Sequence, residues 1–437
     1  MKQDILLEPS SVKQIRVDKC TVRVIIDSDA FDAIADEWTA LAEASDTTIF
    51  QTYEWNRTWW KYFGKKGTLN ILLFYQQDEL AGIAPLFFDE VHLLRKKIYS
   101  CLRFIGSNVI QSKKDVLIGL SSYTDYLDFI VRTGCEEWLR KQFTNFILSV
   151  NLKSCRIQFD AVKENSFTHQ LLPNLELHGF RSSIFLSNVC YIVNLPEDWE
   201  HYLMSLSKDT RSHTRRALKK IYHQDQKLFE IQQITGPDEI ENHFDEMVEI
   251  HQNRWRRNGY LGTFAENSNY QFQKKIAQTF STKGWIQINK LLSVNEQNRC
   301  IAVDVNYRYK NRIYGAHCAV DDQSAYYKKG PGTILLSFGL QDAVFNKIPF
   351  FDFLRGSENY KKAYSNHSKK LYRILVHHPE NNSLYRAEFI QRMMLLKRKL
   401  VRECTHLRYL VANVSFLKGL QKYQSLLFQR ISKRVKQ

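Results

Sequence analysis

Apolar and polar positions alternate in "KCTVRVIID", which predicts a strand, and the period then changes. In "DAFDAIADEWTALAEAS", Phe31, Ile34, Trp38 and Leu41 fall three or four residues apart, so a helix follows, with Asp29 as its candidate cap. "FQTYEWNRTWWKYFG" predicts a second, aromatic-rich helix. "LNILLFYQQDELAGIAPLFFDEVHLL" predicts a hairpin turning at Gln76-Gln77-Asp78-Glu79. "SYTDYLDFIV" and "CRIQFDAV" read as strands on either side of the helical "EEWLRKQFTNFILSV".

A further strand, "SNVCYIVNL", places a domain boundary near Ser187. Beyond it come helices at "DTRSHTRRALKKIYH", "FDEMVEIHQNRWRRNG" and "YQFQKKIAQTF", then strands at "WIQINKLLSV", "CIAVDVNYRYK" and "RIYGAHCAVD". A turn and helix open at "KKGPGT", and the strands "FFDFLRG" and "KLYRILVHH" follow. The similar order predicts a duplicated α/β fold with mixed sheets, in two tandem domains at residues 20–186 and 187–379. From Leu384 the pattern is helical and amphipathic, with Phe389, Met393, Leu396 and Leu400 on one face, so residues 380–437 form a third unit.

At 437 residues and 44% hydrophobic, the chain has material for two or three cores. Its 17 Gly and 8 Pro exclude collagen-like or low-complexity architecture. The 8 cysteines are scattered without C-x-x-C or paired-His spacing, which predicts buried thiols and no metal site. The start, "MKQDILLEPSSVKQIRV", lacks a signal-peptide pattern and no apolar run reaches membrane-spanning length, so a cytoplasmic location is expected. The net charge of +16 is uneven: from Glu380 onward 13 Lys/Arg face 3 Asp/Glu. Such a tail favours anionic partners, whether a membrane surface, nucleic acid or an acidic protein, and charge alone does not choose among them. On the whole reading, peripheral contact at an anionic membrane surface is expected before nucleic acid.

The stretch "YYKKGPGTILLSFGLQDAVF" turns tightly beside positive charge and enters a helix near Thr333. Opening amides of a helix have no internal partner and sit at the positive end of its dipole, so they suit an anion. Gly330 and Gly332 remove the Cβ atoms that would obstruct a phosphate, Pro331 stiffens the turn, and Lys328 and Lys329 supply charge. Neither a Walker loop nor a dinucleotide-binding glycine signature is present.

Together "SKDTRSHTRRALKKI", "HQNRWRRNG", "IYGAHCAVDDQSAYYKKGPGTILLSFGLQDAV" and "FFDFLRGSENYKKAYS" resemble the CelD-like acetyltransferases of polysaccharide and cell-envelope biosynthesis in bacteria, a branch of the GNAT superfamily. The match runs from about Leu203 to Val376, with fainter likeness in "FQTYEWNRTWWKYFG" and "LAGIAPLFF". The resemblance implies tandem GNAT-like domains, of which the second binds acyl-CoA as co-substrate. It implies a pyrophosphate at Lys328, Lys329, Gly330, Gly332, Thr333 and Ile334, and a pantetheine arm beside Gly315. The superfamily's fuller Q/R-x-x-G-x-G/A signature is reduced here to Lys329-Gly330-Pro331-Gly332.

Acyl transfer from a thioester needs a proton acceptor for the amine and a proton donor for the leaving thiolate. Asp352, in the apolar "PFFDFL", is the first candidate base, against a structural pairing with Arg355 or Lys361. His317 is the second, against a satisfied core histidine. Tyr360 is the candidate donor, with Lys361 and Glu358 as substrate contacts. Lys208, Arg211, Arg215 and Lys219 share a helical face, so Arg215, with Trp255 from the next helix, is a candidate contact for a small-molecule or lipid-linked sugar acceptor. Two rival readings stand beside this one: a Fem-type aminoacyltransferase using aminoacyl-tRNA, and a non-catalytic adaptor working through the basic tail.

Overall fold

The computed structural model describes residues 12–17, 20–93, 96–107, 124–149, 155–222 and 227–379; the tail helices expected at 380–437 lie outside these. The first half contains β1 (Val12–Val17), β2 (Cys20–Ile25), α1 (Ser28–Ala33), α2 (Ala35–Ala44), α3 (Tyr53–Phe63), β3 (Gly67–Leu69), β4 (Ile71–Gln76) and β5 (Glu79–Ala84). It continues with β6 (Leu86–Leu93), β7 (Lys96–Phe104), β8 (Ile130–Val131), α4 (Glu136–Ser149), β9 (Cys155–Lys163) and α5 (Phe167–Leu177). The second half contains β10 (Arg181–Asn194), α6 (Trp199–Ser205), α7 (Lys208–Tyr222), β11 (Phe229–Ile234), α8 (Pro237–Arg257), α9 (Asn267–Ser281) and β12 (Ile286–Ser293). After these come β13 (Arg299–Tyr309), β14 (Arg312–Val320), α10 (Pro331–Phe345), β15 (Phe350–Arg355), α11 (Asn359–Tyr364) and β16 (His367–His377).

Local chemistry corrects two expectations. The first predicted helix is two, α1 and α2, meeting at Ile34, and its cap is Asp27, whose carboxylate accepts the Ala30 amide at 2.8 Å, not Asp29. Of "SYTDYLDFIV" only Ile130 and Val131 form a strand. The preceding residues are diverted: Asp128 accepts the Phe167 and Thr168 amides at the start of α5, and Asp125 pairs with Arg355. The β4–β5 hairpin turns where expected, with Gln77 and Asp78 at φ 51° and 65° matching the right-handed twist of the strands.

A five-stranded sheet has the order β1-β2-β4-β5-β8, and an eleven-stranded one the order β11-β12-β13-β14-β15-β10-β16-β9-β7-β6-β3. The larger sheet runs through both halves. The halves join where β16 pairs with β9 of the first half; on its other edge β16 is antiparallel to β10, from Arg181↔His377 to Ile192↔His367. Ser187 falls inside β10, at a register shift between Leu186 and Asn188.

Each half has one parallel contact, β7 with β9 and β14 with β15. The succession strand, helix, parallel strand, helix, strand occurs twice, as β7-α4-β9-α5-β10, with the short β8 inserted before α4, and as β14-α10-β15-α11-β16. One apolar core spans both halves and includes Trp38, Trp55, Phe159, Phe280 and Tyr307. A second surrounds α10, with Ile334, Leu335, Leu340, Ala343 and Val344 against Val193, Ile313, Phe351 and Phe353. Burying each large apolar side chain stabilises by about 1.5–3 kcal/mol, which fixes α10 on the sheet and hence the position of its N-terminus. Among the described residues no helix is long and apolar enough to cross a membrane.

Candidate active site

β14 pairs with β15 only over Arg312–Tyr314 against Phe350–Asp352. From Gly315 to Val320 the two strands diverge, and a cleft of about 870 Å³ opens between them. Gly315 to Val320 line one wall and Phe351, Phe353, Leu354 and Arg355 the other. Gly332, Thr333 and Leu336 of α10 form one end, and His251, Arg254 and Trp255 of α8 another. Phe50, Trp55 and Asp125 reach in from the first half. The site is therefore built by both halves.

At the α10 end, Gly330 is the N-cap in a left-handed conformation, φ 74° and ψ 55°, and Pro331 is the first helical residue. Thr333 and Ile334 turn their amides onto the Gly330 carbonyl at 3.0 and 3.1 Å, and Pro331 has no N–H. This narrows the expected phosphate cradle to the Gly332 amide. Gly332 packs closely on β14, since a Cβ there would meet Val320 Cγ2 at 3.3 Å. Ile334 is buried in the core and contributes no side chain to the site. Lys328 and Lys329 are exposed beside the turn. A cation missed in the sequence joins them: Lys220 of α7 donates to the Lys329 carbonyl at 2.6 Å.

The candidate base Asp352 does not line this cleft. Alternation along β15 turns Phe351 and Phe353 into it and Asp352 to the opposite face of the sheet. There a second cavity of about 520 Å³ is lined by Asp352, Tyr126, Tyr314, Arg312 and Lys369. Asp352 accepts the Tyr126 hydroxyl at 2.6 Å and the Leu354 amide at 2.8 Å, and burial raises its pKa to about 6. The structural pairings considered for it are made elsewhere, Arg355 with Asp125 and Lys361 with Glu358.

His317 does line the cleft, with Nε2 3.2 Å from Gln273 Oε1 and its ring near Phe264 and Phe244. Burial, followed by the charge of His251, lowers its pKa to about 3. Tyr360 lines the opposite wall, 46% exposed, and its hydroxyl, raised by partial desolvation in the cleft and then by Cys318 and Glu358, keeps its proton. Lys361 donates to the Arg355 carbonyl at 2.7 Å and faces Glu358 at 3.4 Å, so its charge holds the loop after Gly356. Trp255 stands 41% exposed at the mouth. Arg215 lies outside both cavities and pairs with Glu200 on the surface at 2.5 Å.

Residues 208–362 match the family model described as the acetyltransferase (GNAT) domain. The second half carries a GNAT acetyltransferase domain. The chain is thus an acyltransferase by class, and the splay between β14 and β15, with a helix N-terminus at its end, lies inside the matched GNAT segment. The fold is similar to that of FemX, at 12% identity over 86% of this chain and 99% of that one, with a TM-score of 0.55. L-PGS from Bacillus licheniformis aligns at 13% identity over 85% and 96% (TM-score 0.47). A tandem GNAT protein from the clavulanic acid biosynthesis pathway aligns at 8% over 81% and 98% (TM-score 0.41). No curated protein sequence matches the chain.

Proposed function

We propose that the protein transfers an acyl group from acyl-CoA to the amine of an amino sugar or a related polysaccharide or cell-envelope precursor, in the manner of the CelD-like branch. The carrying observation is the cleft itself: β14 leaves its partner at Gly315 beside the start of α10. Strand backbone without a neighbour offers N–H and C=O groups that suit the two amides of a pantetheine arm. A positive helix end with a glycine amide and Lys220, Lys328 and Lys329 nearby suits a pyrophosphate. Bound there, acyl-CoA supplies a thioester carbonyl. Tyr360, which lines the cleft and keeps its proton, is the donor for the departing thiolate in this reading. The basic tail holds the enzyme at the inner surface of an anionic membrane, close to a lipid-linked acceptor.

The second reading, a Fem-type aminoacyltransferase, is favoured by the likeness of fold to FemX over 86% of the chain. Thermal unfolding with acetyl-CoA, a long-chain acyl-CoA, free CoA and bulk tRNA separates the two. Ligand at about 100 times its Kd adds about 2.7 kcal/mol, enough to raise Tm by a few degrees. The proposal expects a rise with acyl-CoA that is lost in Gly332→Glu, each protein being compared with its own ligand-free Tm. A rise with tRNA alone, abolished by salt, would favour the aminoacyltransferase.

A further inference from the structure

The α8 end of the cleft holds a histidine absent from the sequence-derived candidates. Its neighbour Gln252 is buried and fixed at both ends, with Nε2 donating to the Leu261 carbonyl at 2.9 Å and Oε1 accepting the Phe264 amide at 3.2 Å. A backbone N–H can only donate, so the atom facing Phe264 is oxygen, and the orientation of the amide follows from chemistry. His251 Nδ1 lies 3.1 Å from that same oxygen and must therefore carry the hydrogen. Its Nε2, on the opposite edge of the ring, is left with a lone pair. Gly262 permits this lock: it has φ 75°, and a Cβ there would stand 2.2 Å from Gln252 Oε1.

Several other protonatable groups along the cleft have partners of their own. Asp125 is paired with Arg355. Asp304 Oδ1 accepts from Asn289 and Asn306 at 2.9 and 2.8 Å, and burial raises its pKa to about 7, so near neutral pH the carboxyl is protonated about as often as not. His317 Nε2 faces Gln273, and Glu358 faces Lys361. Cys318 and Tyr360, both open to the cleft, are weak acids whose pKa values are raised, so each keeps its proton at pH 7. The His251 ring lies against Trp255 and Phe264, at 5.7 and 5.1 Å, and Phe264 in turn touches His317 on β14.

We propose that Nε2 of His251 is the proton acceptor for the attacking amine. This rests on the acyltransferase reading. In the step, the amine nitrogen bonds to the thioester carbonyl carbon, the carbon–sulfur bond breaks, and the thiolate takes the Tyr360 proton. The proton shed by nitrogen goes to His251 Nε2 and returns through water to the Tyr360 oxygen, which restores both groups. Burial lowers the His251 pKa to about 4, opposed by the hydrogen bond to Gln252 and aided by the charge of Arg254, so the ring is neutral at pH 7.

Nitrogen-15 correlation spectra of histidine-labelled protein at pH 7 should show His251 with Nδ1–H and a bare Nε2. An Nε2–H tautomer, or an imidazolium, would overturn the proposal without any turnover being needed. In thiol-release assays with acetyl-CoA and glucosamine, His251→Ala should lower kcat by about 10²- to 10⁴-fold, leave the acetyl-CoA KM unchanged, and recover with added imidazole. Retained kcat, or a loss that imidazole does not restore while acetyl-CoA still stabilises the variant, overturns the role of His251 alone. Failure of acetyl-CoA to stabilise the unmodified protein overturns the donor reading beneath it.

Discussion

Asp352 shows how one side chain's placement depends on its neighbours. In the sequence it is a carboxylate in an apolar strand, which marks a raised pKa without saying which face it occupies. The structure puts it against Tyr126, at a backbone φ of 57° that a tyrosine rarely adopts, and across the sheet from the cleft. Its pKa of about 6, above the ordinary 3.8, means that the folded state binds the proton more tightly. Stability from this group is therefore full below pH 3.8 and is lost as pH rises towards 6, on the order of 1 kcal/mol per pH unit. Denaturant titrations between pH 4 and 7 should show this fall in the native protein and not in Asp352→Asn. Acyl transfer should survive that substitution, because the residue is outside the cleft.

At the scale of elements, α10 and the turn before it were legible because glycine and proline punctuate the chain in ways few other residues do. Gly330 sits at φ 74°, where an L side chain costs about 1–2 kcal/mol, so Gly330→Ala should lower stability by that amount in equilibrium unfolding. Apolar runs gave β12 to β16 for the same reason that they pack: they are the strands of a largely buried sheet, as in β12 and β15, which are buried on both faces. The segment before Ile130 was not legible. Its alternation is that of a strand, yet Asp125 and Asp128 spend their carboxylates on partners 230 and about 40 residues away. A local pattern contains no record of such distant donors.

For the whole molecule, the decisive feature is the seam. β16 lies between β10 and β9, and Asp125 of the first half pairs with Arg355 of the second, with both side chains largely buried. Asp125→Ala leaves that guanidinium without its carboxylate and should destabilise the protein by about 3–5 kcal/mol in urea unfolding, with the halves loosened together. A fragment of residues 187–379 loses β9 and the first six residues of β10, leaving one edge of β16 bare. Its circular dichroism and tryptophan emission should report an unfolded or aggregated chain. Truncation at residue 379 should, by contrast, leave acyl transfer in solution unchanged and weaken only binding to anionic vesicles.

The sequence by itself determined many of the elements, the duplication, the turn that opens α10 and the class of fold, because apolar periodicity and glycine placement are local properties of the chain. Tertiary structure decided which residues share the cleft. It turned Asp352 away and Arg215 outward, brought in Phe50, Trp55 and Asp125 from some 200 or more residues away, and fixed the tautomer of His251 through Gln252. A side chain's face, its partner and its protonation depend on strands and loops that meet only after folding.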